Sequence, residues 1–244
     1  MSKDSLALDE TNSSHSFNDC SREEPAVGDD KTVFQLIIKR SLDILISVSI
    51  LVISLPFILA IAVIIKCTSK GPVLFKQERI GKNGKPFMFL KLRTMKYGSS
   101  DRQHRKFCKD FIEGKLSGGS SEGTGNKTYK IVDDPRVTGV GRFLRKSSLD
   151  ELPQFLNILR GDMTLVGPRP SLKYEYKYYN DWHKRRVAVK PGLTGLWQVS
   201  GRSNVSFQEM INLDLYYIEN WSIILDIKII LRTVPVVLFG KGAY

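Results

Sequence analysis

The chain has 244 residues, room for one domain with an anchor rather than for several independent cores. Its net charge of +12 hides a split: eight acids against two bases give −6 over the first thirty residues, which leaves +18 on residues 31–244. That bias asks for an anionic partner, be it nucleic acid, anionic lipid or a phosphorylated substrate. Cys20, Cys67 and Cys108 are odd in number and lack metal or redox spacing, and His15, His104 and His183 are as scattered, so a disulfide framework, a zinc site or a Ser–His–Asp triad has little to build on.

Residues 1–30 are acidic, serine-rich and poor in large apolar side chains, which predicts a disordered tail and not a cleaved signal. Residues 44–65 follow, 22 positions without a charge, enough as a helix to cross a bilayer's hydrocarbon. Pro56 stands in this run with Ser54 two residues before it, and Lys39, Arg40, Lys66 and Lys70 flank both ends. All four bases favour the cytoplasmic side. A helix bent at Ser54 and Pro56 that returns to the same face satisfies both ends; a proline-kinked spanning helix is the other physical solution.

Asn83-Gly84 between two extended stretches predicts a β-hairpin. A helix is expected at about 101–113, started by Ser100 with Gln103 and stopped at Gly114. Residues 117–126 are nearly all Gly, Ser or Thr and read as a flexible loop. Residues 150–160 carry Leu152, Phe155, Leu156 and Leu159 at helical spacing, ended by Gly161. Residues 171–186 mix five aromatics with five Lys or Arg, a composition suited to a membrane–water boundary. Ser206 and Glu209 predict a capping box for a helix to about Trp221, and residues 222–240 read as an interfacial or buried helix, with a strand over 226–230 as the alternative.

The sharpest chemical feature is Asp150-Glu151, set in Ser147-Ser148-Leu149-Asp150-Glu151-Leu152-Pro153-Gln154. Starting the helix at Asp150 keeps Pro153 in the first turn and puts both carboxylates at the positive end of the helix dipole. A capping box on Ser148 and Glu151 is the bland alternative. An ionised aspartate beside a second carboxylate can bind a divalent metal or attack phosphorus. Around the pair, Arg136, Arg145, Arg169 and Arg202 sit on or beside Pro/Gly turns and are placed to clamp a diphosphate.

These motifs stand in one order: Lys39-Arg40-Ser41-Leu42-Asp43, Gly71-Pro72, Gln77-Glu78-Arg79-Ile80-Gly81, Lys91-Leu92-Arg93-Thr94-Met95, Asp134-Pro135-Arg136, the Asp-Glu-Leu-Pro-Gln stretch, Leu165 to Pro170 and Pro191 to Arg202. Together they resemble the bacterial sugar transferases known as monotopic polyprenyl-phosphate phosphoglycosyl transferases, from about Arg40 to the C-terminal Gly242-Ala243-Tyr244. The chain looks like a short form, without the four N-terminal membrane helices of longer relatives.

The resemblance implies a mixed α/β, mainly helical fold. Its parts would be a disordered tail (1–30), a re-entrant membrane helix hairpin bent at Ser54 and Pro56 (31–70), and a small cytoplasmic catalytic domain with a β-hairpin and interfacial helices (71–244). It implies Asp150 as nucleophile with Glu151 as its partner, Mg²⁺ on both, and Lys91 and Arg93 among the phosphate-binding residues with Arg136, Arg145, Arg169 and Arg202. The reaction would move a sugar 1-phosphate, a hexose by the chain's ending, from a UDP-sugar to undecaprenyl phosphate. UMP would leave through an aspartyl-phosphosugar intermediate at the bacterial inner membrane, the first membrane step of exopolysaccharide, capsule or O-antigen synthesis. No nucleic acid is expected, and residues 97–131 receive no role. The alternative is a non-catalytic membrane-surface binding protein.

Overall fold

A computed structural model describes residues 30–115, 134–200 and 205–238. The acidic tail, the 117–126 loop, Arg202 and the C-terminal Gly242-Ala243-Tyr244 lie outside the described residues. The chain is mixed α/β and mostly helical.

The first element, α1 (Asp30–Thr68), is one continuous helix of 39 residues with Pro56 inside it, about 58 Å of axis if straight. The stretch Val33–Thr68 is long and apolar enough to cross a membrane. Its buried positions fall on a single stripe, Asp43, Ser47, Ser54, Ile61 and Ile65, while Val52, Ile53, Leu55, Phe57 and Leu59 are exposed. The Ser54 hydroxyl donates to the Leu51 carbonyl at 3.5 Å. It does not take up the Val52 carbonyl that Pro56 frees by lacking an N–H.

Polar contacts tie both ends of α1 to the rest of the chain. Lys39 Nζ reaches Asp226 at 2.5 Å and the Val166 carbonyl at 3.0 Å. Arg40 donates to the carbonyls of Ile158 and Leu159 at 2.7 and 2.9 Å, groups left over at a helix C-terminus. Asp43 accepts from Thr164 Oγ1 and the Leu165 N–H at 2.7 and 2.9 Å. At the far end, Arg93 donates to Ser69 O at 2.8 Å and Ile65 O at 3.3 Å.

Strands β1 (Leu74–Ile80) and β2 (Pro86–Leu92) form the expected antiparallel hairpin. Asn83 and Gly84 take positive φ angles of 56° and 75° in its turn, which suits Asn and Gly. Helix α2 (Arg102–Ile112) stops at Gly114 as expected. Asp101 rather than Ser100 is its cap residue, and the Ser100 hydroxyl accepts from the Arg102 N–H. Next come α3 (Gly139–Lys146), a 3-10 turn over Leu149–Glu151 and α4 (Gln154–Arg160).

The expected helix over 150–160 is therefore two elements. Pro153 precedes α4, and the carboxylate pair stands outside its first turn. The buried face of α4 also differs from the expected leucine stripe: Gln154, Phe155, Asn157 and Ile158 are inside and Leu156 is exposed. Asn157 explains the rotation, because its side chain accepts from Leu90 N–H and donates to Met88 O. It thereby locks α4 onto β2.

The remaining elements are β3 (Thr164–Val166), β4 (Ser171–Leu172), α5 (Lys173–Tyr176), α6 (Asp181–Lys184), β5 (Gly192–Thr194), α7 (Leu196–Ser200), α8 (Phe207–Glu219) and α9 (Ile223–Leu238). Strand β4 adds to β1, giving the order β2-β1-β4, and β3 pairs in parallel with β5. A Cβ at Gly192 would collide with the Gly167 backbone, so these two motif glycines let their segments touch. The α8 capping box on Ser206 and Glu209 forms as expected.

Residues 171–186 divide between surface and core: Lys173, Lys177, Tyr178 and Arg185 are exposed. Tyr179, His183 and Arg186 are buried, and Tyr179 packs with Phe207, Ile211 and Leu215. Arg186 makes a buried ion pair with Asp214 at 2.5 Å, which a composition-based reading assigns to the surface. The main core gathers Phe89, Phe155, Ile158, Val166, Tyr217 and Ile229, with Ile46, Ile50 and Leu51 of α1 packed on it. Exposed Ile224, Ile227, Leu231 and Val234 form an apolar stripe along α9.

Asp226 accepts from Lys39, from Tyr217 at 2.7 Å and from Trp221 at 3.1 Å. Removing one partner from such a cluster strands a charge. Asp226→Ala should lower stability by about 3 kcal/mol, read as a clear fall in the thermal midpoint of the detergent-purified chain. An unchanged midpoint would contradict the clamp.

Candidate active site

Strand β2 carries Lys91 toward the 3-10 turn that holds Asp150 and Glu151. Leu90 and Leu92 face the other way, into the core, as strand alternation requires. Ser148 leads into the turn with φ 57°, a left-handed conformation that non-glycine residues adopt infrequently. Leu92 packs with Leu144 of α3 and Ile61 and Ile65 of α1, which fixes the strand's end against α1.

Lys91 Nζ sits 3.2 Å from Asp150 Oδ2 and 2.8 Å from Glu151 Oε1. Arg169, on the loop after β3, donates to the same Glu151 oxygen at 3.2 Å. Asp150 is 4% exposed. The pair is thus held by cations on two separate elements. Adjacent carboxylates repel, and a shared ammonium offsets that repulsion more strongly in a partly desolvated site than in water.

The other expected site residues divide. Arg145 donates through Nε to Thr94 Oγ1 at 3.0 Å; burial pulls its guanidinium below the ordinary arginine value, and Asp150 acts in the opposite direction. Arg136 is held by Asp134 through three hydrogen bonds and donates to the Ser100 carbonyl. That contact holds the Asp134 carboxyl below the usual carboxylate range. Arg93, 5% exposed, closes the C-terminus of α1. Lys91, Arg145 and Arg169 therefore gather at the carboxylate pair, whereas Arg136 and Arg93 are engaged in holding backbone and Asp134. Arg202 lies outside the described residues.

A cleft of about 1130 Å³ runs past Asp150 and Glu151. One part of its lining is apolar, with Ile46 and Ile50 from α1 and Ile230 and Val234 from α9. Another is polar, with Tyr97, Asp101, His104 and Tyr174. Thr94, His104 and Tyr174 received no role from the sequence. Their neighbours are distant in the chain, and no spacing rule marks them.

Among the described residues no group of three or more His, Cys, Asp or Glu side chains gathers for a metal. Asp150 and Glu151 both reach Lys91 Nζ, so a metal held by this pair would take the place of that ammonium and leave Lys91 to phosphate oxygens. That donor set fits a hard cation such as Mg²⁺, which takes one or two carboxylates and completes its shell with water and phosphate oxygens.

The family model for bacterial sugar transferases matches residues 34–240. The galactosyl transferase CpsE of Streptococcus agalactiae is 47% identical over 174 residues, 71% of this chain and 36% of that protein. The exopolysaccharide production protein ExoY of Sinorhizobium fredii is 41% identical over 206 residues, 84% and 88% of the two chains. An undecaprenyl-phosphate galactose phosphotransferase of Salmonella typhimurium is 41% identical over 208 residues, 85% of this chain and 42% of that one. The chain thus spans under half the length of two of these relatives and most of the third.

Proposed function

The chain belongs to the bacterial sugar transferase family, and on that premise we propose that it transfers a hexose 1-phosphate from a UDP-hexose to undecaprenyl phosphate and releases UMP. The observation that carries this reading is the buried Asp150 held with Glu151 by Lys91 and Arg169 beside a cleft that is apolar on one wall and polar on another. The names of the relatives supply the hexose and the carrier lipid.

In the first step an Asp150 carboxylate oxygen attacks the β-phosphorus of the UDP-hexose. The bond from that phosphorus to the bridging oxygen breaks, and UMP departs with the electron pair. In the second step a phosphate oxygen of the carrier lipid attacks the same phosphorus, and Asp150 leaves as carboxylate. The product is a lipid diphosphate hexose. Lys91, Arg145 and Arg169 neutralise the phosphate oxygens, where preorganised cations lower the barrier most. Asp150 and Glu151 are the residues that would hold Mg²⁺, whose charge would offset that of the diphosphate. The apolar wall from α1 and α9 suits the polyprenyl chain, and the exposed stripe of α9 with Lys228 and Arg232 beside it suits an anionic lipid surface.

The same domain takes hold of α1 at Lys39–Asp43 and again at Ile65–Ser69. A helix crossing the bilayer would carry one of these ends away from the other. This supports a re-entrant anchor, with tail and catalytic domain both in the cytoplasm at the inner membrane. The reaction would then supply the lipid-linked first sugar of an exopolysaccharide or capsule.

UMP release by the purified chain should require both a UDP-hexose and undecaprenyl phosphate for sustained turnover. It should stop with excess chelator and return with Mg²⁺ or Mn²⁺. Asp150→Asn should lose at least about 10³-fold in rate with an unchanged thermal midpoint. Lipid binding without UMP release under any condition would favour a non-catalytic membrane protein. Full rate in chelator would remove the metal.

For topology, single cysteines replacing Ser5 and Lys228, in a chain lacking Cys20, Cys67 and Cys108, should both resist an impermeant thiol reagent in intact cells and react after lysis. Labelling at position 5 alone in intact cells would establish a spanning helix.

A further inference from the structure

Residues 97–104 reach the cleft because Arg136 binds the Ser100 carbonyl at 2.7 Å and the Lys96 N–H donates to Arg136 O at 2.9 Å. Behind them α2 packs on α5. His104 Nδ1 lies 2.5 Å from the Tyr174 hydroxyl, and Cys108 donates to Glu175, whose other oxygen accepts from the Leu172 N–H. Arg105 covers a face of the Tyr174 ring at 4.9 Å. Both His104 and Tyr174 line the cleft.

The hydrogen-bond pattern fixes what this wall offers. Burial holds His104 below the usual histidine range, so the ring is neutral at pH 7 and carries one proton. With the Cys108 S–H directed to Glu175, we assign the Tyr174 O–H as the donor to Nδ1, the tautomer that satisfies both contacts. The ring proton then sits on Nε2, which has no hydrogen-bond partner among the described residues. The pair presents one N–H donor and one phenol acceptor, and Asp101 adds a carboxylate on the same cleft. Arg136 is paired with Asp134, which makes it a poorer clamp for a diphosphate than the cations gathered at the carboxylate pair. A hexose brings several hydroxyls that each donate and accept, against two on the ribose and one N–H on the uracil edge.

We infer that the wall formed by residues 97–104 and Tyr174 reads the hexose of the nucleotide sugar, with His104 and Tyr174 as the specificity-determining pair. This rests on the reading of the cleft as the UDP-hexose site. It assigns a task to a segment to which neither motif nor resemblance gives one.

The test measures kcat and KM for UDP-glucose and UDP-galactose, and the inhibition constant of UDP, in the full chain with undecaprenyl phosphate. The variants are His104→Gln and Tyr174→Phe. Both should raise KM for the preferred hexose by about 5- to 10-fold and narrow the preference between the two, the effect of one lost substrate hydrogen bond. The UDP inhibition constant should stay within about 2-fold, less than such a bond is worth. A parallel rise in the UDP constant would assign the wall to the nucleoside and overturn the inference, as would unchanged KM values. Should His104→Gln fail to fold, Tyr174→Phe decides, since it keeps the ring. Wild-type chain that releases no UMP from either hexose would point to failure of the underlying reading. Thermal stabilisation then still decides the wall: UDP-hexose must stabilise wild type more than UDP does, and Tyr174→Phe must lose that difference, or the inference falls.

Discussion

The Lys39 ammonium, placed between Asp226, Tyr217 and the Val166 carbonyl, joins the apolar helix to the strand and helices that frame the cleft. Arg40 and Asp43 add contacts to the end of α4 and the start of β3 one turn apart, and Arg93 closes the other end. Because α1, α4 and β3 share these contacts, the carboxylate turn that precedes α4 is set at a fixed place relative to the apolar helix. The proposed transfer, in which a soluble anion and a lipid phosphate meet at one point, needs that registration. The exposed apolar surface of α1 between the two clamps is then what remains for lipid.

The site follows from a conflict the fold resolves locally. Two neighbouring carboxylates would repel, and the turn gives them a left-handed Ser148 and a proline instead of a regular helix start. Lys91 from the hairpin and Arg169 from the loop at the touching glycines Gly167 and Gly192 supply the opposing charge. Arg136 and Arg93 answer a different need, since each closes a backbone segment that borders the same cleft.

Local chemistry made part of this legible. Asn83-Gly84 specifies its hairpin, Ser206 and Glu209 their cap, and Gly114 its stop, because each depends on neighbours a few residues away. The carboxylate pair also stands out in the sequence, but its cation Lys91, some 60 residues earlier in the chain, does not. The leucine stripe of 150–160 misled because Asn157 bridges to β2 and turns α4. Within the aromatic-basic run of 171–186, composition does not mark Arg186 as a core residue, because its partner Asp214 lies 28 residues on. The His104–Tyr174 pair was invisible for the same reason: its partners meet only once the chain is folded.

The most direct measurement is mass spectrometry of the chain after mixing with UDP-hexose and Mg²⁺ in the absence of carrier lipid. A hexose-phosphate adduct is expected on the peptide containing Asp150. Undecaprenyl phosphate should discharge it, and Asp150→Asn should not form it. Rapid UMP release with no adduct on any trapped sample, or an adduct that persists at wild-type level in Asp150→Asn, would contradict Asp150 as the nucleophile.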